Sequence, residues 1–189
     1  MVMDNIRLRK LKIEDKERLL EFADNEKISI NLRDGFPHPY TEKDAERFLS
    51  NVVNNLQDQI FAIEYNGIYV GNISLIKCSD VYRKSAEIGY LLDEKYWNKG
   101  IMTRAVDLIC EYGFREMDLV RIYTGVFEYN IASQKVLERC GFVKEAVFRK
   151  SIFKNGKIWD EIRYAKFKEN ETYRGSGGNH CSRGKDTLC

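Results

Sequence analysis

Two glutamates, a serine and a glycine-led basic turn are the residues of this 189-residue chain whose types and spacing suit a reaction. Glu87 stands in the run Ser85–Leu92, SAEIGYLL, and Glu145 in GFVKEAVFRK, residues 141–150. Each is a candidate general base, provided that burial lifts its pKa. Each also has a structural reading: Glu87 as a sheet carboxylate paired across to a lysine, Glu145 as a hydrogen-bonding member of a hairpin. Ser133 follows Asn130 by three residues. Asn130 is a helix N-cap by type, and Ser133 is either an ordinary residue of the first turn or a hydroxyl that could act as an acid. Tyr123 and Tyr129 are further phenols that could serve. The run Trp97-Asn98-Lys99-Gly100-Ile101-Met102-Thr103-Arg104 sets a glycine at the head of a helical pattern. The backbone N–H groups of a helix start lack intrahelical partners and carry the positive end of the dipole. Lys99 and Arg104 add charge and Thr103 a hydroxyl, which together suit a phosphate ester. Neither a Walker loop nor a dinucleotide fingerprint is present.

These residues need a strand, a loop and a helix to hold them. In SAEIGYLL, Ile88, Tyr90 and Leu92 alternate with Glu87, Gly89 and Leu91, the period of a strand. After Gly100, Ala105, Leu108, Ile109 and Tyr112 form one helical face, predicted to run to about Met117. Arg121–Glu128 reads as a second strand. A strand, helix, strand order makes the two strands parallel and the crossover right-handed. Asn130 opens another helix, which stops at Cys140-Gly141.

The rest of the chain supplies the frame. Ile6 and Leu8 alternate with arginines in a short strand, and Glu14 and Asp15 precede a helix burying Leu19, Leu20, Phe22 and Ala23. Ser29–Tyr40, SINLRDGFPHPY, holds Gly35 and both prolines and reads as a loop, either a connector or the wall of a pocket. Thr41 with Asp44 heads a helix striped by Ala45, Phe48, Leu49, Val52, Val53 and Leu56. Gln59–Tyr65 and Ile68–Lys77 are strands joined by Asn66-Gly67, and Phe142–Phe153 and Lys157–Phe167 are strands joined by Asn155-Gly156, a strong hairpin signal.

Length and composition narrow the class. The chain is expected to be one domain over residues 1–169, followed by a polar tail at 170–189 without apolar periodicity. A net charge of +2 gives no case for nucleic acid. No apolar run is long enough to span a membrane, and the start MVMDNIRLRK has no signal-peptide core, so a cytoplasmic location is expected. Two histidines, five cysteines and no C-x-x-C argue against a metal site. Cys78, Cys110 and Cys140 lie in apolar segments as buried thiols. No Cys/His or Ser/His/Asp arrangement suggests a covalent intermediate.

AEIGYLLDEKYWNKGIMTRAV resembles the acetyl-CoA-binding segment of the GNAT acetyltransferase superfamily, and most of all its RimJ/RimL-like group, the ribosomal-protein N-terminal acetyltransferases. VFEYNIASQKVLERCGFVKEAVFRK and FKNGKIWDEIRYAKFK agree, so the resemblance spans Ile6 to Lys168. The superfamily loop pattern Gln/Arg-x-x-Gly-x-Gly/Ala is kept here only at its central glycine, Gly100. The resemblance implies an α+β GNAT fold, a mixed, twisted central sheet with a splayed parallel strand pair and helices on both faces. It implies acetyl-CoA as cosubstrate, wedged in the splay: its carbonyl on backbone N–H groups of Tyr90, Leu91 and Leu92, its phosphates on Lys99, Gly100, Ile101, Met102, Thr103 and Arg104, and its pantetheine arm near Asn130 and Ser133. Phe36, His38 and Tyr40 would wall the acceptor pocket. The partner would be a primary amine, either a protein N-terminus or a small molecule, and a homodimer is compatible with the group. Glu87 is preferred as base over Glu145. The alternatives are an acetyl-CoA-binding sensor module without turnover and a nucleotide-phosphate enzyme.

Overall fold

A computed structural model describes residues 5–54 and 59–169. The predicted stripe position Leu56 and the tail 170–189 lie outside the described residues. The element order is β1 (Ile6–Lys10), α1 (Lys16–Ala23), α2 (Glu26–Ser29), α3 (Glu42–Asn54), β2 (Gln59–Tyr65), β3 (Ile68–Lys77), β4 (Ser85–Leu92), α4 (Ile101–Glu116), β5 (Arg121–Phe127), α5 (Ile131–Arg139), β6 (Val143–Lys154) and β7 (Lys157–Phe167). The strands form one sheet in the order β1-β2-β3-β4-β5-β7-β6. Every pairing is antiparallel except β4 with β5, which is parallel around the α4 crossover.

The alternation in β4 decides which layer each face meets. Ala86, Ile88 and Leu92 join Ile63, Ile73 and Leu75 of the neighbouring strands and Ile101, Ala105, Val106 and Ile109 of α4 in one buried cluster. Leu91 faces the other way, against a smaller cluster built by Leu19 and Phe22 of α1 and Ala45 and Leu49 of α3. Helices therefore cover both faces. Of the α3 stripe, Ala45 and Leu49 are buried, whereas Val53 is exposed.

Local chemistry accounts for the element ends. The Thr41 hydroxyl accepts from the Asp44 amide, and the Asp44 carboxylate accepts from the Thr41 amide at 3.0 Å, so aspartate does the work of the usual capping-box glutamate. Asn66-Gly67 and Asn155-Gly156 have positive φ at both residues, the geometry of the tight hairpin turn. Beyond the expected loop, Glu26–Ser29 forms a short helix, because the Asn25 side chain accepts from the Lys27 amide. The loop that follows is tied down at three points: Arg33 pairs with Glu87, Asp34 with the buried Lys154 at 2.7 Å, and the Ile30 carbonyl accepts from the Tyr129 hydroxyl.

Candidate active site

β4 and β5 are in register at three positions only, Ser85↔Arg121, Ala86↔Ile122 and Glu87↔Tyr123. Past Glu87, β4 stays with β3 while β5 stays with β7, so the parallel pair splays. The backbone of Ile88 to Leu92 has no ladder partner in β5. A cleft of about 910 Å³ opens there, running from the start of α4, between β4 and α5, to the loop around Phe36.

At one end the sequence makes an anion cradle. The first α4 hydrogen bond runs from the Arg104 amide to the Gly100 carbonyl at 3.1 Å. The amides of Ile101, Met102 and Thr103 therefore precede the ladder. Gly100 has φ +75°, a backbone that a side chain strains, and a Cβ there would enter open space in the cleft. Asn98, two residues ahead of Gly100, also has positive φ. Lys99 lines this end, its ammonium 5.1 Å from the centre of the Tyr96 ring. Arg104 is exposed and outside the cleft, and its amide is spent in the helix, so the phosphate role predicted for it does not follow from its position.

In mid-cleft the Asn130 side chain caps α5 by accepting from the Ser133 amide at 3.1 Å. The Ser133 hydroxyl lies 2.7 Å from the Tyr90 hydroxyl, a contact that bridges β4 and α5 across the splay. Burial pushes the Tyr90 phenol upward, so it keeps its proton at neutral pH. The Tyr90 side chain, besides its backbone, lines the cleft.

At the far end Glu87 lines the cleft on the face away from α4, with Arg33 of the loop as its ion-pair partner. Phe36 and Tyr40 line the same end and stack with centroids 4.8 Å apart. His38, placed in this wall from the sequence, sits instead on the outside of the loop with its Nδ1 3.2 Å from Asp24, because the loop turns Phe36 and Tyr40 inward.

Glu145 is also outside the cleft. It is the extra residue at a bulge where β6 pairs with β7, and its carboxylate takes two bonds of 2.6 Å from Arg121. That guanidinium holds the carboxyl below its ordinary range. Of the reserve phenols, Tyr123 contacts the Cys78 sulfur at 3.4 Å, and Tyr129 is committed to the Ile30 carbonyl. Cys110 and Cys140 are buried, and burial pushes both thiols up to about 12.

Charged cleft residues absent from the sequence-based expectations include Arg33, Lys135, Arg139 and Glu161. Lys135 and Arg139 extend the basic lining along α5; their i, i+4 spacing on the helix that starts at Asn130 was the available signal. Glu161 of β7 enters the cleft as well. Its alternation with Trp159 and Arg163 is visible in WDEIRYAKF, but the strand it lies beside is not.

The profile of the acetyltransferase (GNAT) domain matches residues 5–143. The chain belongs to the GNAT acetyltransferase family. Like its GNAT relatives it is an N-acetyltransferase, a class defined by acetyl-CoA-dependent acetylation of amines. It is 26% identical over 164 residues to the spermidine N(1)-acetyltransferase of Escherichia coli K12, a match covering 86% of each chain. The solved microcin C7 self-immunity acetyltransferase MccE, in complex with acetyl-CoA and AMP, is 28% identical, with a TM-score of 0.74 over 88% of this chain and 94% of that one. The ribosomal-protein-S5-alanine acetyltransferase of Vibrio fischeri, 23% identical, shares the fold with a TM-score of 0.75 over 90% and 97% of the two chains. Among the described residues no helix is long and apolar enough to cross a membrane, and no group of three or more His, Cys, Asp and Glu side chains gathers.

Proposed function

We propose that this GNAT protein moves the acetyl group of acetyl-CoA directly to a primary amine, with Glu87 as base and Ser133 as acid. One observation carries the reading: the anion cradle, the Ser133–Tyr90 pair and Glu87 line a single continuous cleft in the splay. The chain's groups fit the cosubstrate. The amides of Ile101, Met102 and Thr103, with Lys99, Lys135 and Arg139, hold the phosphates, and the unladdered β4 backbone accommodates the pantetheine arm and polarises the thioester carbonyl.

Glu87 takes one proton from the ammonium, by itself or through a water, because only the free amine attacks. The amine nitrogen forms a bond to the thioester carbon, the carbon–sulfur bond breaks, and the nitrogen's second proton passes through the Ser133 hydroxyl to the departing thiolate, so that Ser133 ends neutral. The Tyr90 hydroxyl orients Ser133 for this relay and keeps its own proton. No side chain is acylated. The acceptor class comes from the relatives' names, spermidine in one and a ribosomal-protein alanine in another, and both belong in the test.

The test is thiol release from acetyl-CoA with spermidine, an alanine-led peptide and an aminoglycoside as acceptors. Amine-dependent release is the expected result. Binding of acetyl-CoA without release to any acceptor would replace this reading with that of an acetyl-CoA sensor.

A further inference from the structure

Among the described residues, Glu161 is the one carboxylate lining the cleft for which the proposed chemistry gives no task. It lies on β7 opposite Phe127, and Arg163 lies opposite Gly125. Ile122 and Val126 of β5 are in the α4-side core, so Tyr123, Gly125 and Phe127 face the other way, as do Glu161 and Arg163. This is also the face of Glu87, whose register partner on β5 is Tyr123. From β7, Glu161 reaches across β5: a Cβ built on Gly125 would stand 2.4 Å from its carboxylate carbon and 2.6 and 2.7 Å from its oxygens. The carboxylate therefore lies on the bare Cα of Gly125, two residues along β5 from the partner of Glu87, where the strands have parted.

Its surroundings leave it short of donors. Arg163 Nη2 comes within 2.6 Å of Oε1, yet Oε1 is buried and receives no hydrogen bond in good geometry; the guanidinium carbon lies 5.4 Å and 5.1 Å from the centres of the Tyr123 and Phe148 rings. A buried carboxylate oxygen whose cation contact is off hydrogen-bond geometry is under-satisfied, and an ammonium arriving at the exposed part of the same carboxylate offsets that cost. The Glu161 side chain keeps 18% of its surface exposed, on the cleft side.

We propose that Glu161 is a specificity-determining residue that anchors the incoming acceptor as an ammonium cation, in front of Glu87. This rests on the acetyl-transfer reading above. One carboxylate then receives the charged amine, and the other removes its proton. Gly125 is the second half of the device: any side chain at 125 would push the carboxylate off its seat, and the displaced atoms are the free end of a flexible chain, so the fold survives.

Three variants test it with the same acceptors. Glu161→Gln keeps the shape and removes the charge, Gly125→Ala moves the carboxylate without removing it, and Arg163→Met removes the neighbouring cation. Loss of a charge-assisted hydrogen bond raises the amine KM about tenfold to a hundredfold. That rise is expected in Glu161→Gln and in Gly125→Ala, with the acetyl-CoA KM unchanged and kcat little altered. Arg163→Met should not raise the amine KM. Calorimetric titration of spermidine into CoA-loaded protein should show the same order of affinities. An unchanged amine KM in Glu161→Gln, or an equal rise in Arg163→Met, would overturn the anchor and leave acetyl transfer standing. No turnover of any amine by the unaltered protein would overturn acetyl transfer and the anchor with it.

Discussion

Glu87 and Glu145 show how one side chain acquires two fates. Glu87 lies where β5 leaves β4, so its carboxylate meets the cleft and a loop arginine. Glu145 lies on a bulge and is clasped by Arg121. Glu87→Gln should lower turnover by about two to four orders of magnitude, the usual weight of a general base. The acetyl-CoA KM should hold, and raising the pH should restore part of the rate as free amine accumulates. If the rate is indifferent to this substitution at every pH, the proton leaves by another route. Glu145→Gln should instead leave kcat alone and destabilise the fold by roughly 1 kcal/mol at neutral pH, the weight of a well-formed half-exposed pair. The sign follows from the lowered pKa. The pair stabilises the fold above the unfolded value near 4.5, and that stability is lost as pH falls through the lower folded value. Melting curves of the two proteins should therefore converge in acid, and a gap that persists there would contradict the ion-pair role.

Two helix N-termini carry the site at the scale of elements. α4 begins at a left-handed glycine and leaves three amides outside its ladder; α5 begins at an asparagine that caps it. Gly100→Val puts a branched side chain into the space above those amides and strains a backbone at φ +75°. It should abolish the thermal shift given by acetyl-CoA while circular dichroism still reports the native fold; a full shift in a folded variant would remove the cradle assignment. Along α5, Lys135 and Arg139 contribute charge that salt screens. The acetyl-CoA KM should rise with ionic strength, and Lys135→Gln with Arg139→Gln should flatten that dependence. Both helix starts were legible in the sequence, because glycine and asparagine act through their own backbone and side chain at short range. The inward turn of Phe36 and Tyr40, and the outward one of His38, were not, because the loop takes its path from Arg33, Asp34 and Ile30 gripping residues far along the chain.

For the whole molecule, the cleft exists because one sheet follows two allegiances, β4 to β3 and β5 to β7. A ligand wedged between them binds only the folded chain, so acetyl-CoA at about a hundred times its dissociation constant should add about 2.7 kcal/mol to stability. Stabilisation indifferent to acetyl-CoA concentration would refute binding in the splay. Much of this architecture was local and so determined by the sequence alone: the two Asn-Gly hairpins, the alternation that puts Ile88 and Glu87 on opposite faces of β4, the amphipathic α4 and the caps at Gly100 and Asn130. Those features depend on residues within a few positions of each other, where propensity and periodicity act. Only the tertiary structure decided that Glu161 of β7 reaches across β5 onto Gly125, that the Tyr90 hydroxyl meets Ser133 across the gap, and that Arg121 clasps Glu145. Each of those contacts joins elements far apart in the chain, and which elements meet is set by the packing of the whole core.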